Sequence, residues 1–286
     1  MRSTAKYAKK YTKHFRNNKD DAVNIIITII AVIVFFIVLI VPHEFGHFIT
    51  AKILGVKVNE FAFGMGPAIL QKQGEETLYS VRIFPIGGYC ALEGENEDTG
   101  DPRAFNSKPG WVKIIILSAG VIMNVVTAFL IMFFLLVFVR LTNMDSLPED
   151  MGVLQVIAQS VLDGAATVGK MGLLIVDSLK QLFTGGASMD DLSGPVGIVT
   201  AVNESASQGI TYYLVFTAIM CVNLAVINIL PLPALDGGRI LFVIIRKVTG
   251  KMITDELESR IHMIGMALLL LLIIMITFKD VGTLFR

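Results

Sequence analysis

Charge is scarce in this chain: Asp, Glu, Lys and Arg make up 17% of its 286 residues and cancel to a net charge of zero. Without a basic surplus nothing points to nucleic acid, whose phosphates are held by clustered Lys and Arg. Tryptophan occurs once and cysteine twice. Cys90 and Cys221 stand far apart, with no His or second Cys at ligand spacing, so they read as small apolar fillers rather than a disulfide or metal pair. No cleaved leader is legible, because the first apolar stretch is too long for a signal-peptide core and no small-residue cleavage site precedes the motif at its end. That stretch is expected to be retained. What the chain has in place of charge is apolar surface: 54% of its residues are hydrophobic, poor material for a soluble domain and good material for a polytopic membrane protein.

Four apolar segments are long enough to cross a bilayer, at about 22–50, 112–139, 210–230 and 261–278. A fifth, about 162–184, has apolar positions at helical spacing with Asp163, Lys170, Asp177 and Lys180 interspersed, which predicts an amphipathic helix lying on the membrane or the bundle. Lys52, Lys57, Lys72, Arg82, Arg103, Lys108 and Lys113 lie between the first and second spans, and Arg239, Arg246, Lys247, Lys251 and Arg260 between the third and fourth. Both loops are therefore expected on the cytoplasmic side. The stretch 141–209 carries only Lys170 and Lys180 against eight acidic residues, among them Asp163, Asp177 and Glu204, and is expected outside. The basic residues Arg2, Lys6, Lys9, Lys10, Lys13, Arg16 and Lys19 then fall on the outer side, against the positive-inside tendency. The two later loops agree with each other and decide the orientation, leaving residues 1–21 as a basic surface arm.

The expected fold is thus membrane α-helical, with about four transmembrane helices and a small membrane-associated β element near the cytoplasmic side. The β element is read from 56–89, where short runs of alternating, β-branched and aromatic residues are broken by Gly64, Gly66-Pro67, Gln73-Gly74 and Gly87-Gly88. The acidic, glycine-containing run 93–103 after it reads as a loop. The corresponding units are the arm 1–21, a first span 22–54, the β segment and loop 55–110, a second span 111–141, an outer loop with amphipathic helix 142–208, a third span with the following helix 209–258, and a fourth span with tail 259–286.

Within the first span stands His43-Glu44-Phe45-Gly46-His47. Residues four apart share a helix face, so both imidazoles can reach one metal ion, and Glu44 lies beside them, placed to take a proton from a metal-bound water. The motif follows about twenty residues in which Asn24 and Thr28 are the only polar side chains, so the site sits at membrane depth. A catalytic zinc site needs a third protein ligand. His262, His14 and Asp236 are the candidates, and Asp236 is the most telling. It ends the run Asn228-Ile229-Leu230-Pro231-Leu232-Pro233-Ala234-Leu235-Asp236, where two prolines break the third helix and extended backbone is expected until helix resumes beyond Gly238. Irregular backbone and a carboxylate at membrane depth are tolerated where they line a cavity and meet a partner, and zinc is such a partner.

HEFGH on the first span, the Asn228–Gly238 run after the third and Ser193-Gly194-Pro195-Val196-Gly197 before it together resemble the site-2 protease family of intramembrane zinc metalloproteases. The FPIGGY run ending at Tyr89, the DPRAF run ending at Phe105 and the FKDVGTLF run ending at Phe285 are similar to its bacterial, RseP-type members. The likeness covers about 22–140 and 162–286. It implies zinc held by His43, His47 and Asp236, with Glu44 as general base and later proton donor to the leaving amine. Asn228, Pro231 and Pro233 match positions that receive the substrate, and 56–89 matches the segment that binds an unwound substrate strand. It further implies transmembrane protein or peptide substrates, such as anti-sigma factors or signal-peptide remnants, and a multi-pass location in the bacterial cytoplasmic membrane. The oligomeric state is not indicated.

The chain departs from that pattern in three places. Val121 follows Ala119-Gly120 where the family has a Gly-Pro pair before the Asn, here Asn124. Pro42 directly precedes the first ligand and is expected to bend the helix. About 20 residues separate the second span from the amphipathic helix, too few for the PDZ domain of RseP-type members. Two other readings compete. A zinc carrier would need further acidic residues lining the other spans, which are absent; a catalytically silent member that binds zinc or transmembrane helices would not need Glu44.

Overall fold

The computed structural model describes residues 2–95, 99–143, 152–186, 193–249 and 255–284, with side chains from Ile25 onward. In chain order it comprises α1 (Arg2–Ile53), β1 (Val58–Gln73), β2 (Leu78–Leu92), a 3-10 turn at Phe105–Ser107, α2 (Gly110–Thr142), α3 (Val153–Phe183), α4 (Pro195–Gln208), α5 (Ile210–Asn228), α6 (Asp236–Thr249) and α7 (Asp255–Leu284). Among the described residues, four helical stretches are long and apolar enough to cross a membrane: Ile25–Ile53, Gly110–Thr142, Ile210–Asn228 and Glu256–Gly282. Their outward faces carry large apolar side chains, such as Ile25, Ile26, Ile29, Phe134, Phe138, Leu268 and Leu271, all exposed on the protein. A hydrocarbon surround satisfies such a surface where water would not.

Residues 2–21 are helical and run without a break into the first span, since α1 is continuous from Arg2 through Pro42 to Ile53. At 1.5 Å per residue a helix of 52 residues is about 78 Å long, more than twice a hydrocarbon core, so its first turns lie well beyond the span. Helix also resumes at Asp236 itself, not beyond Gly238, which leaves only 229–235 as irregular backbone. The amphipathic helix is longer than its periodicity indicated and runs from Val153. Only residues 143–152 separate it from α2, and the acidic positions at 145, 149 and 150 lie outside the described residues.

The core forms two apolar clusters at different depths. One gathers Phe35, Phe36 and Leu39 of α1 with Ala128, Met132 and Leu135 of α2, Val168 of α3, Val202 of α4, and Tyr213, Ala218, Cys221 and Val222 of α5. The other gathers Ala51, Val56, Val58, Leu92, Phe105, Val112, Ile116 and Leu117 around the β element and the start of α2. Residues 40–47 of α1 and 118–127 of α2 lie between them, so polar groups there are enclosed by close-packed apolar layers above and below.

Both strands are bent, and β1 pairs antiparallel with β2. The first part of β1 has partners on both sides: Phe61 faces Cys90 and Tyr79, and Ala62 faces Tyr89 and Ser80. The second part turns away at Gly64 (φ 88) and closes on β2 through Ala68↔Arg82 to Gln73↔Leu78. A Cβ at Gly64 would lie 2.6 Å from the Phe84 carbonyl oxygen, so this bend admits no side chain. The far end of the hairpin is apolar and exposed at Met65, Ile69, Leu70, Ile83 and Phe84. Its near end is tied down at Glu76, which accepts from Lys52 of α1 (2.9 Å) and from Arg103 (2.6 Å). Chiefly through the Lys52 hydrogen bond, the Glu76 carboxyl is lowered to about 2.

Candidate metal centre

His43 and His47 lie one turn apart on α1, both buried, with Glu44 partly buried beside them. Asp236, the first residue of α6, comes to them from nearly two hundred residues on. The Nε2 atoms of His43 and His47 are 3.3 Å apart, and Asp236 Oδ2 lies 3.3 Å from the first and 3.5 Å from the second. Donors about 2.0–2.1 Å from a tetrahedral zinc ion are about 3.3–3.4 Å from one another, so the triangle has the size of one tetrahedral face. Asp236 Oδ2 is otherwise a buried oxygen without a hydrogen-bond partner. Three lone pairs converging in an apolar layer repel one another unless a cation stands among them, and the donor set, two imidazoles and a carboxylate, suits zinc.

α2 orients both imidazoles. Nδ1–H of His47 donates to the carbonyl of Ile116 (2.8 Å), which leaves the Nε2 lone pair free for the metal. The Asn124 amide lies 3.3 Å from Nδ1 of His43, and its oxygen, as assigned, has no partner. Amide oxygen and nitrogen are interchangeable in such an assignment, and turning Asn124 Oδ1 toward the ring lets it accept from Nδ1–H. Both histidines then share one tautomer, with the Nε2 lone pair facing Asp236.

Glycine makes this proximity possible. A Cβ at Gly120 would lie 2.3 Å from His47 Nε2 and 2.7 Å from His43 Cε1. A Cβ at Gly46 would lie 2.4 Å from the Ala119 carbonyl oxygen. Thus α1 and α2 cross in contact at the motif, and the two rings, T-shaped to each other, both reach the α2 backbone at Gly120. Gly88 of β2 does the same for Glu44, since a Cβ there would come within 3.3 Å of Glu44 Cγ and 2.9 Å of the Ala62 carbonyl oxygen. The β2 stretch Gly88–Leu92 therefore passes directly beside the acidic side chain that the sequence singled out.

The remaining candidates divide. The Asn228 amide is 3.2 Å from His43 Nε2, at the mouth of the triangle. Pro231 is exposed on the 229–235 loop, and Pro233 packs against α7, where a Cβ at Gly265 would come 2.3 Å from its own. His262 is not part of that triangle; its Nδ1 accepts from the Ala234 N–H (2.9 Å). His14 falls among the side chains outside the described residues. Arg239, one turn after Asp236, donates to Glu95, joining α6 to the end of the β element. Cys90 is not among the residues whose donor atoms converge; burial, with Glu44 and Glu95 nearby, pushes its thiol well above the ordinary range. Sequence reasoning assigned no role to Asn124, Gly120 or the Ile116 carbonyl. Asn124 carried a signal all the same, as a polar side chain deep in an apolar span.

A model of peptidase family M50 matches residues 31–272. A Clostridium acetobutylicum protein provisionally named a zinc metalloprotease is 32% identical over 90% of this chain and 97% of its own length. Zinc metalloprotease RasP of Shouchella clausii and the regulator of sigma-W protease RasP of Bacillus subtilis are each 25% identical over 90% of this chain and 99% of theirs. Those alignments run over 333, 415 and 417 residues, so each relative has stretches with no counterpart in these 286 residues.

Proposed function

The chain belongs to peptidase family M50, the site-2 proteases, and from that premise we propose that it hydrolyses peptide bonds within transmembrane segments of other membrane proteins. The observation that carries the reading is the triangle of His43, His47 and Asp236 donor atoms, with Glu44 on the same turn of α1, enclosed between apolar layers of spanning helices.

In this reading the two histidines and Asp236 hold the ion. Zinc, when bound, polarises the scissile carbonyl and makes its water acidic enough to ionise near neutral pH. Glu44 receives the proton from the attacking water and passes it to the leaving amine, which keeps the proton count balanced over one turnover. Asn228, beside His43 Nε2, is placed to donate to the substrate carbonyl, and Pro231 and Pro233 keep the adjoining loop out of helix. A transmembrane helix hides its peptide groups in its own hydrogen bonds, so the substrate must unwind before it is cut. The edge of β2 opposite β1, along Gly88–Leu92 and next to Glu44, offers backbone groups to a substrate strand. The exposed apolar end of the hairpin sits in the membrane boundary. The Lys and Arg content of 54–109 and 229–255 supports a cytoplasmic position for this end of the bundle. Single-pass proteins such as anti-sigma factors, and remnants of signal peptides, are the substrates that fit.

The test is to reconstitute the full chain with a single-pass substrate and map the products by mass. Cleavage inside the apolar segment is expected, and cleavage confined to soluble flanks would contradict the proposal.

A further inference from the structure

The loop that delivers Asp236 has little to hold it. Pro231 and Pro233 remove two of its N–H groups. Leu230 N–H donates to Ile227, Leu232 N–H to Leu230 and Leu235 N–H to Leu232, all local contacts. Ala234 is the single exception in 230–235, and its N–H donates to His262 Nδ1 on α7 (2.9 Å). Ala234 is also the only non-glycine residue with positive φ among the described residues, at 74°. A side chain in the left-handed region persists only where its surroundings impose it, and Asp236 follows two residues later.

α7 is shaped for this contact. Gly265, three residues beyond His262, presses against Pro233 so closely that a Cβ would come 2.3 Å from the proline Cβ. On the other side the His262 ring lies 5.3 Å from the ring of Phe242 on α6. The imidazole is thus wedged between the helix that Asp236 begins and the loop that precedes it. With Nδ1 accepting, a neutral ring carries its proton on Nε2.

We propose that His262 is a positioning residue for zinc: by accepting from Ala234 it fixes the strained turn that aims the Asp236 carboxylate at His43 and His47. The proposal rests on the reading of those three residues as the zinc ligands. Removing a group that orients a metal ligand weakens metal binding by about 10–100-fold. His262→Phe keeps a ring against Phe242 but has no acceptor, whereas the Asn side-chain oxygen in His262→Asn can take the place of Nδ1.

The experiment measures zinc affinity of the purified full chain by chelator competition, and the absorption of the cobalt-substituted protein, for wild type, His262→Phe, His262→Asn and His43→Ala. The expected result is zinc binding about 10–100-fold weaker and an altered cobalt spectrum for His262→Phe, with His262→Asn close to wild type. Should His262→Phe fail to accumulate folded, His262→Leu takes its place. Wild-type affinity and spectrum in the variant without an acceptor would overturn the proposal, as would an Asn variant no better than it. If His43→Ala also bound zinc normally, the ligand assignment itself would fall, an outcome distinct from failure of His262 alone.

Discussion

Gly120 stands where α2 has no room for a methyl group. Its missing side chain lets two imidazoles, each fixed at Nδ1 by α2, approach within 3.3 Å of each other. Because those rings cannot retreat without giving up their bonds to Ile116 and Asn124, Gly120→Ala is expected to weaken zinc binding at least ten-fold while helix content is unchanged, as read by chelator competition and circular dichroism. Wild-type zinc affinity in that variant would show that the rings have freedom the packing does not suggest. Asn124→Ala, which leaves His43 Nδ1–H without an acceptor in a buried layer, is expected to weaken zinc by a similar order, about 10–100-fold. The three residues whose donor atoms converge were legible from HEFGH spacing and from a carboxylate after a double-proline break. The residues that aim them were not, because a backbone carbonyl leaves no mark in a sequence and a glycine's necessity depends on which helix lies across from it.

Among the elements, the four spans follow directly from apolar length, and the amphipathic α3 from its periodicity. The β element was legible as hairpin sequence, but its arrangement was not. That one part of β1 would pair on both sides depends on bends at Gly64 and around Gly87, and turn residues fix such geometry only together with the packing they meet. The hairpin is attached at Glu76, which accepts from both Lys52 and Arg103. Since its folded value of about 2 lies below the ordinary 4.5, the carboxylate contributes to stability above pH 4.5, and the contribution is lost as pH falls from there toward 2. Protection factors for hydrogen exchange in 58–92, which divide out the intrinsic pH dependence of exchange, are therefore expected to fall across that acid range in the wild type. Glu76→Gln should show low protection already at neutral pH and little further change on acidification; equal protection in the two proteins at neutral pH would contradict the anchoring role.

As a whole molecule, the chain places two thirds of a site on α1 and the remaining third after α5, with the two apolar clusters sealing it from either side. Ten residues join α2 to α3, so no outer domain stands at that point to screen substrates by size. Cleavage of a single-pass substrate with its outer domain intact is accordingly expected to proceed within a few-fold of the trimmed form, compared side by side in vesicles; strong rejection of the intact form would mean that another part of the molecule does the filtering. The most direct test of the proposed chemistry pairs two readings on one variant, Glu44→Gln: zinc per chain and cleavage of a transmembrane substrate. If His43, His47 and Asp236 hold the ion and Glu44 moves the proton, the variant keeps one zinc per chain and loses cleavage; ordinary turnover in Glu44→Gln with zinc bound would contradict it.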